Sequence, residues 1–406
     1  MTKFGRGLRS DFFFDENYIS LNHGSYGTYP KIIQKTLHHY QQQAEINPDK
    51  FLRRDMFPLL DKNRKIIADL LYCDMNELVF ITNCSVGMNS IIRSLILNKD
   101  DKVLCFNTAY NSVEKTLVYV HDSFEAQLVQ VELKYPLSDD EIVDNVRKAI
   151  EKEYQGSSQP IKLAVMDAIT SVPGVRFPFE RVVKLLKEYN ILSCVDAAHA
   201  LGQISVNLHE IDPDFFVTNA HKWLLCPRGL SVAYVPTRNQ HLIHPAVINS
   251  AYKHHTNKEK DVTSNFQAEP GTSDFSTFLC VEEVMKYRKS LGGEESIMEY
   301  CHDLAVTGAN AAADILGTNV LENDEETLTA CMSNVRLPLY PHPKYSENDI
   351  IQAFIDKLIY EHNCMAPVYF HNNNWYVRFS AQVYNDLDDF KYVAKALLKV
   401  CKDLEQ

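Results

Sequence analysis

The chain has 406 residues, 45% hydrophobic and 23% charged, the proportions of a soluble globular protein long enough for two to three folding units. Gly is scarce at 14 residues, roughly half the usual ~7%, which excludes collagen-like and glycine-linker architectures. With 41 Lys and Arg against 53 Asp and Glu, the net charge of −12 disfavours wholesale attraction to nucleic acid or an anionic membrane.

The amino terminus, MTKFGRGLRSDFFFDENY, carries basic residues but no apolar stretch of signal-peptide length. No run of 18 apolar residues occurs anywhere, so no membrane span is expected. Residues 1–50 read as an arm and a polar helix, 51–275 as a large domain and 276–406 as a smaller one. From about residue 77 short apolar runs alternate with helix-period stretches. ELVFIT, KVLCFN, AQLVQVEL, KLAVMDAIT, ILSCVDAA, DFFVTNA and LSVAYV read as strands. SVGMNSIIRSLIL and ERVVKLLKEY carry apolar residues at helical spacing between them. The alternation predicts an α/β domain whose sheet is mostly parallel, with helices on both faces. Residues 237–275 read as loop-rich, and 276–406 as an α+β unit opening on FLCVEEVMKYRKSL and ending in a strand pair, CMAPVYF and NWYVRFSAQ.

Ten Cys are scattered without C-x-x-C spacing, and several sit in apolar runs as small core residues. Neither a disulfide framework nor a zinc site is expected, and a reducing, cytoplasmic setting follows, with the nucleus also open. The adjacent pairs His38-His39 and His254-His255 cannot share a helix face, so they read as solvated surface rather than metal ligands, as does the NKEK run.

The densest chemistry lies in VDAAHALGQ followed by VTNAHKWLLCPRGL. Asp196 ends one apolar strand and Lys222 follows the end of another, and open α/β sheets bind ligands outside the carboxyl ends of their strands. An aldehyde cofactor needs such a pair. A lysine whose amine pKa is lowered by burial can attack the aldehyde, and a carboxylate facing a pyridine nitrogen keeps the ring an electron sink. On their own, Asp196 as a helix cap and Lys222 as a surface cation remain open. FITNCSVGMNS places Asn83, Cys84 and Ser85 between strand and helix, where free N–H groups make a phosphate site, although Asn83 or Ser85 also suits an N-cap. Asn219 and His221 flank Lys222 and are candidates for the same phosphate. Tyr110 offers a face for ring stacking or is a core residue. Thr170 and Ser171 stand at another strand end, and Arg378 is a charge inside an apolar strand that needs a carboxylate from the protein or from a substrate.

The ordered set TNCSVG, ITSVPG, VDAAHALGQ, NAHKWL, PGTSD and VRFSAQVYN resembles the class V aminotransferase / cysteine desulfurase family of pyridoxal-phosphate enzymes, fold type I, over about residues 18–390. The resemblance implies a large domain with a seven-stranded, mostly parallel sheet, a smaller C-terminal α+β domain, and pyridoxal 5'-phosphate as cofactor. It makes Lys222 the lysine bonded to the cofactor, Asp196 the partner of the pyridine nitrogen, and His199 the neighbour of the phenolic oxygen. Cys84, Ser85, Asn219 and His221 would surround the phosphate, Tyr110 would stack on the ring, and Arg378 would take the substrate carboxylate. Thr272, in PGTSD, would reach the phosphate of a neighbouring subunit, implying a homodimer with shared active sites. Two positions depart from the pattern: Cys84, where relatives often have Ala, and Tyr110, where desulfurases carry His.

LNHGSYGTYP and INPDKFLRRDMFPLL look like the isopenicillin N epimerase-like subgroup, which includes hercynylcysteine sulfoxide lyases of ergothioneine biosynthesis. Asn22, His23 and Arg54 are then candidate substrate contacts, or else a capped turn and surface charge. Cys364 lies before Arg378 at a spacing reminiscent of one desulfurase branch, but HNCMAPVYF reads as a strand start rather than a Gly-rich loop. Without a catalytic thiol the expected reaction is β-elimination from a cysteine-conjugate sulfoxide, hercynylcysteine sulfoxide foremost, giving pyruvate and ammonia. The alternatives are an amino-acid epimerase or aminotransferase, a desulfurase-like enzyme, and a cofactor-binding scaffold without turnover.

Overall fold

Every one of the seven apolar runs becomes a strand of one sheet. In the computed structural model, which describes residues 4–156, 161–253, 262–267, 271–340 and 345–405, a short strand β1 (Ile19–Ser20) precedes them. They follow as β2 (Leu78–Ile81), β3 (Lys102–Phe106), β4 (Gln127–Val131), β5 (Ile161–Asp167), β6 (Leu192–Asp196), β7 (Phe215–Asn219) and β8 (Ser231–Tyr234). The spatial order is β2-β8-β7-β6-β5-β3-β4, with β8 antiparallel to both neighbours and the remaining pairs parallel.

These runs are apolar throughout because both faces are buried. Leu104, Val195 and Phe216 pack into the core on one side, while Val103, Cys194, Phe215 and Val217 pack into the core on the other. This is the period-two alternation of a strand expressed in two apolar environments. The helix Cys84–Ile92 lays Met88, Ile91 and Ile92 on the second face, and Phe179–Glu188 lays Val182, Val183 and Leu186 on the first.

A three-stranded antiparallel sheet, ordered β11-β12-β9, forms the C-terminal α+β part from β9 (Met332–Arg336), β11 (Val368–His371) and β12 (Asn374–Ser380). The helices Gly293–Leu316 and Leu387–Leu404 share its apolar core. Between β9 and β11, β10 (Cys364–Met365) pairs in parallel with β1, and Ser380 N–H donates to Leu21 O at 2.8 Å. The N-terminal arm is thereby woven into the C-terminal sheet, carrying residues 22–27 to the mouth of the main sheet. Val281 and Val284 of the helix Val281–Ser290 pack into the core beneath the main sheet. The divisions at 50 and 275 stand as a proposal from the sequence, and packing runs across both points.

His38 and His39 are exposed on the helix Lys31–Ile46. His254, His255 and the NKEK run lie outside the described residues. Among the described residues no helix is long and apolar enough to cross a membrane, and no cluster of His, Cys, Asp and Glu could hold a metal ion.

Candidate active site

The parallel strands β5, β6 and β7 end side by side, and their last residues are Asp167, Asp196 and Asn219. Asp167 and Asp196 are register partners, so two carboxyls stand on adjacent strands at the same level. Beyond β7 the chain turns back, with the N–H groups of Ala220 and His221 both donating to Leu230 O, and this turn carries Lys222 over the strand ends. Gly27 allows the N-terminal arm to close on that turn. Its φ is +63°, and a Cβ there would lie 1.8 Å from His221 O, so only Gly fits. The resulting pocket has a volume of about 150 Å³ and is lined by Ser25, Asn83, Cys84, Ser85, Tyr110, Asp167, Ser171, Asp196, Ala198, His199, Asn219, His221 and Lys222.

Lys222 is held from behind. His23 lies 2.9 Å from both Lys222 O and Tyr384 Oη; since a carbonyl only accepts, Nε2–H donates to Lys222 O and Nδ1 accepts from the tyrosine hydroxyl. Burial drives the His23 pKa down to about 4, so the ring is neutral, as this pattern requires. Burial likewise lowers the Lys222 amine from 10.5 to about 8, despite opposing carboxylates, with Arg378 pushing the same way. His199 approaches Lys222 Nζ at 3.2 Å through Nε2 and is kept neutral chiefly by its own burial, then by the lysine charge.

The two carboxyls differ in support. Asp196 Oδ1 accepts from Ala198 N–H at 3.0 Å, whereas Asp167 has no hydrogen-bond donor among the described residues. Both are pushed up by burial, Asp167 further because Asp196 repels its charge. Two like charges on neighbouring buried strands cannot both ionise freely. Of the two, Asp196 is the better placed to hold a charge, because it alone accepts an N–H, and Asp167 the better placed to hold a proton.

Asn83 caps the helix Cys84–Ile92, its Oδ1 accepting from Val86 N–H at 2.9 Å. Asn219 Oδ1 accepts from Cys84 N–H (3.1 Å) and from Ser231 Oγ–H (2.6 Å). The Cys84 N–H is thus occupied and unavailable to an anion, which corrects the expectation that it contacts a phosphate directly. Ser85 N–H and hydroxyl have no protein acceptor among the described residues and remain at a positive helix end. His221 turns Nδ1–H to Leu230 O at 3.0 Å and is neutral, with burial taking its pKa to about 4. Tyr110 is 48% exposed at the pocket lip, not a core residue.

Opposite the lysine, β12 delivers Arg378. It is buried, and its donors meet only neutral acceptors: Ser171 O at 2.9 Å, Asn22 Oδ1 at 3.0 Å and Ser25 Oγ at 2.9 Å. Its Nε has no partner among the described residues. Burial without a counter-anion lowers the guanidinium from 12.5 to about 10, the opposite of what a paired arginine shows. Gly174 makes room for it, since a Cβ there would sit 2.8 Å from Arg378 Cδ.

Other expectations need correction. The Thr170 hydroxyl points into its own turn, donating to Pro173 O at 2.5 Å, because the backbone turns there and leaves that carbonyl to satisfy. His23 spends both ring nitrogens on Tyr384 and Lys222, so it supports the lysine rather than meeting a substrate. Arg54 is exposed on the turn Phe51–Asp55 with Nη1 on Arg53 O, outside this pocket. Thr272 is exposed and outside this chain's own pocket, a position that leaves its expected reach to a neighbouring subunit untouched. Asn22 does not line this pocket and serves as a hydrogen-bond acceptor for Arg378. Sequence reasoning passed over Asp167 and Ser25, although Asp167 ends an apolar strand just as Asp196 does.

The chemistry of this donor set fits pyridoxal 5'-phosphate. A near-neutral amine, a buried carboxyl, a flat exposed ring and an open helix N-terminus occur in one pocket, and a buried cation beside it has no anionic partner among the described residues. A profile of the family described as Aminotransferase class-V matches residues 22–393. The chain is 29% identical over 400 residues to the hercynylcysteine sulfoxide lyase of Schizosaccharomyces pombe, covering 98% of each chain. It is 28% identical over 411 residues to an L-cysteine desulfhydrase of Arabidopsis thaliana, covering 94% of this chain and 88% of the other. An apo cysteine desulfurase from Thermococcus onnurineus shares the fold at a TM-score of 0.77 with 18% identity, over 99% of both chains.

Proposed function

The chain belongs to the aminotransferase class-V family, and from that premise we propose that it is a C–S lyase cleaving an S-oxidised cysteine conjugate, hercynylcysteine sulfoxide foremost. The observation that carries an amino-acid substrate is Arg378, a buried cation that meets no carboxylate among the described residues. The substrate carboxylate supplies it, held by the planar guanidinium fork. Asn22, Ser25 and Ser171 hold that fork in place, and Ser25 and Ser171 themselves line the pocket beside it.

Pyridoxal phosphate, when bound, supplies a sink for the electron pair left at Cα. Lys222 Nζ takes the Cα proton, an act suited to an amine with a pKa of about 8. Asp196 would face the ring nitrogen, His199 would offer an N–H to the phenolic oxygen, Tyr110 would cover the ring, and Ser85, Asn219 and His221 would stand around the phosphate. The Cβ–S bond then breaks, the sulfur leaves with the bond's electrons as a sulfenate, and water hydrolyses the released three-carbon enamine to pyruvate and ammonia. Thr272 would act from the partner subunit of a homodimer.

Elimination is favoured over thiolate attack because Cys364 is no nucleophile. It is fully buried, paired with Ile19 between β1 and β10, and burial pushes its thiol to about 12. The relatives named as cysteine desulfhydrases support the same elimination on a smaller substrate. Incubating the loaded enzyme with hercynylcysteine sulfoxide, and separately with cysteine, is the test. Pyruvate from the sulfoxide at a higher kcat/KM than from cysteine supports the proposal. Pyruvate no greater than that of Lys222→Ala, or inversion at Cα without loss of sulfur, overturns it.

A further inference from the structure

We infer that Trp223 is a positioning residue that locks the His199 imidazole as its Nε2–H tautomer, so that the pocket face of this ring can only donate a hydrogen bond. An indole N–H is a donor and never an acceptor. Trp223 Nε1 lies 3.3 Å from His199 Nδ1, so Nδ1 accepts and carries no proton. A histidine with a bare Nδ1 is neutral and keeps its one hydrogen on Nε2.

That hydrogen faces Lys222 Nζ at 3.2 Å. A lysine ammonium has three hydrogens and no lone pair, so it would meet Nε2–H hydrogen to hydrogen. Only the free amine can accept. The pair of bonds Trp223–His199 and His199–Lys222 therefore selects the unprotonated, nucleophilic lysine. Burial and the charge of Arg378 lower the amine in the same direction, while Cys84, Asp196 and Asp167 oppose them from the helix start and the strand ends. The tautomer lock adds an influence that none of these groups provides.

The indole has no freedom to choose otherwise. Trp223 is 1% exposed, and its carbonyl accepts from Arg288 Nη1 at 2.9 Å. Arg288 is in turn paired with Glu294. The His23 ring packs 5.6 Å from the indole, on the side from which it grips Lys222 O. The two residues 222 and 223 are thus fixed together, and the amine and its selector move as one unit. The benefit to the lyase reaction rests on the function proposed above; the tautomer itself does not.

The test uses cofactor-free protein. Competitive acetylation across pH, read by mass spectrometry on the Lys222 peptide, gives the amine midpoint, expected near 8 in the wild type. Trp223→Phe removes the N–H and frees Nδ1, and the midpoint rises by about one unit, cutting acetylation at pH 8 about fivefold. In a His199→Gln background the same replacement changes nothing further, because its effect runs through the imidazole. An unmoved midpoint in folded Trp223→Phe, or the same rise with His199 absent, overturns the inference. Nitrogen-15 spectra of wild-type histidines, with His199→Gln identifying the signal, test it without the Phe variant: a bare Nδ1 supports it and a protonated Nδ1 refutes it. No cofactor or substrate enters these measurements, so failure of the proposed reaction would leave them unchanged.

Discussion

Replacing Arg378 by Gln separates a substrate anchor from a structural brace. The guanidinium is lowered from 12.5 to about 10 by burial among neutral partners, which corresponds to ~3 kcal/mol of unfavourable charge burial in the free protein. Gln removes that penalty along with the bonds to Asn22, Ser25 and Ser171, so cofactor-free Arg378→Gln should unfold in urea within about 1 kcal/mol of the wild type. An arriving carboxylate, by contrast, gains two charge-assisted bonds that Gln cannot offer. Their loss, ~3 kcal/mol, predicts a KM for the amino-acid substrate about 100-fold higher, with Arg378→Lys intermediate because it keeps charge without the fork. Steady-state pyruvate release and urea melts read both quantities. A variant that loses several kcal/mol of stability while KM stays put would make Arg378 a core residue and move the carboxylate anchor elsewhere.

Lys222, lowered in the folded chain from 10.5 to about 8, binds fewer protons when folded than when unfolded between those values. Stability of the cofactor-free protein should therefore rise with pH from about 8 to 10.5, by ~3 kcal/mol relative to Lys222→Met, and a pH-independent difference between the two would refute the burial of this amine. Asn219→Ala strands Cys84 N–H and the Ser231 hydroxyl, so urea unfolding should show a loss of about 1–3 kcal/mol, and fluorescence titration should show weaker cofactor retention. Cys364→Ala should cost about 1 kcal/mol of stability and leave kcat for pyruvate release unchanged; loss of turnover with a normal melt would restore a thiol mechanism.

The main sheet was legible because its strands are buried on both faces, which writes each one as an uninterrupted apolar run. Strand ends were legible for the same reason, and Lys222 and Asp196 stand in one pocket because parallel strands stop at a common edge. Pairings across long stretches of sequence were not. β1 and β10 are two residues each, too short to show a period, yet their pairing carries Asn22 and Ser25 to an arginine more than 350 residues away. Side-chain direction was also hidden. Nothing in ITSVPG says that the Thr170 hydroxyl turns inward while Ser171 faces the pocket. Asp167 ended its strand in plain view, but its weight comes only from standing level with Asp196. Trp223 reads in sequence as one more core aromatic, and its chemistry lies in the direction of a single N–H.

The central claim is that Lys222 bonds the cofactor, and it is tested by loading the protein with pyridoxal phosphate, reducing with borohydride and mapping the product by peptide mass spectrometry. The account predicts a yellow protein before reduction and a pyridoxyl group on the peptide containing Lys222. A colourless protein, or an adduct confined to another lysine, would contradict it.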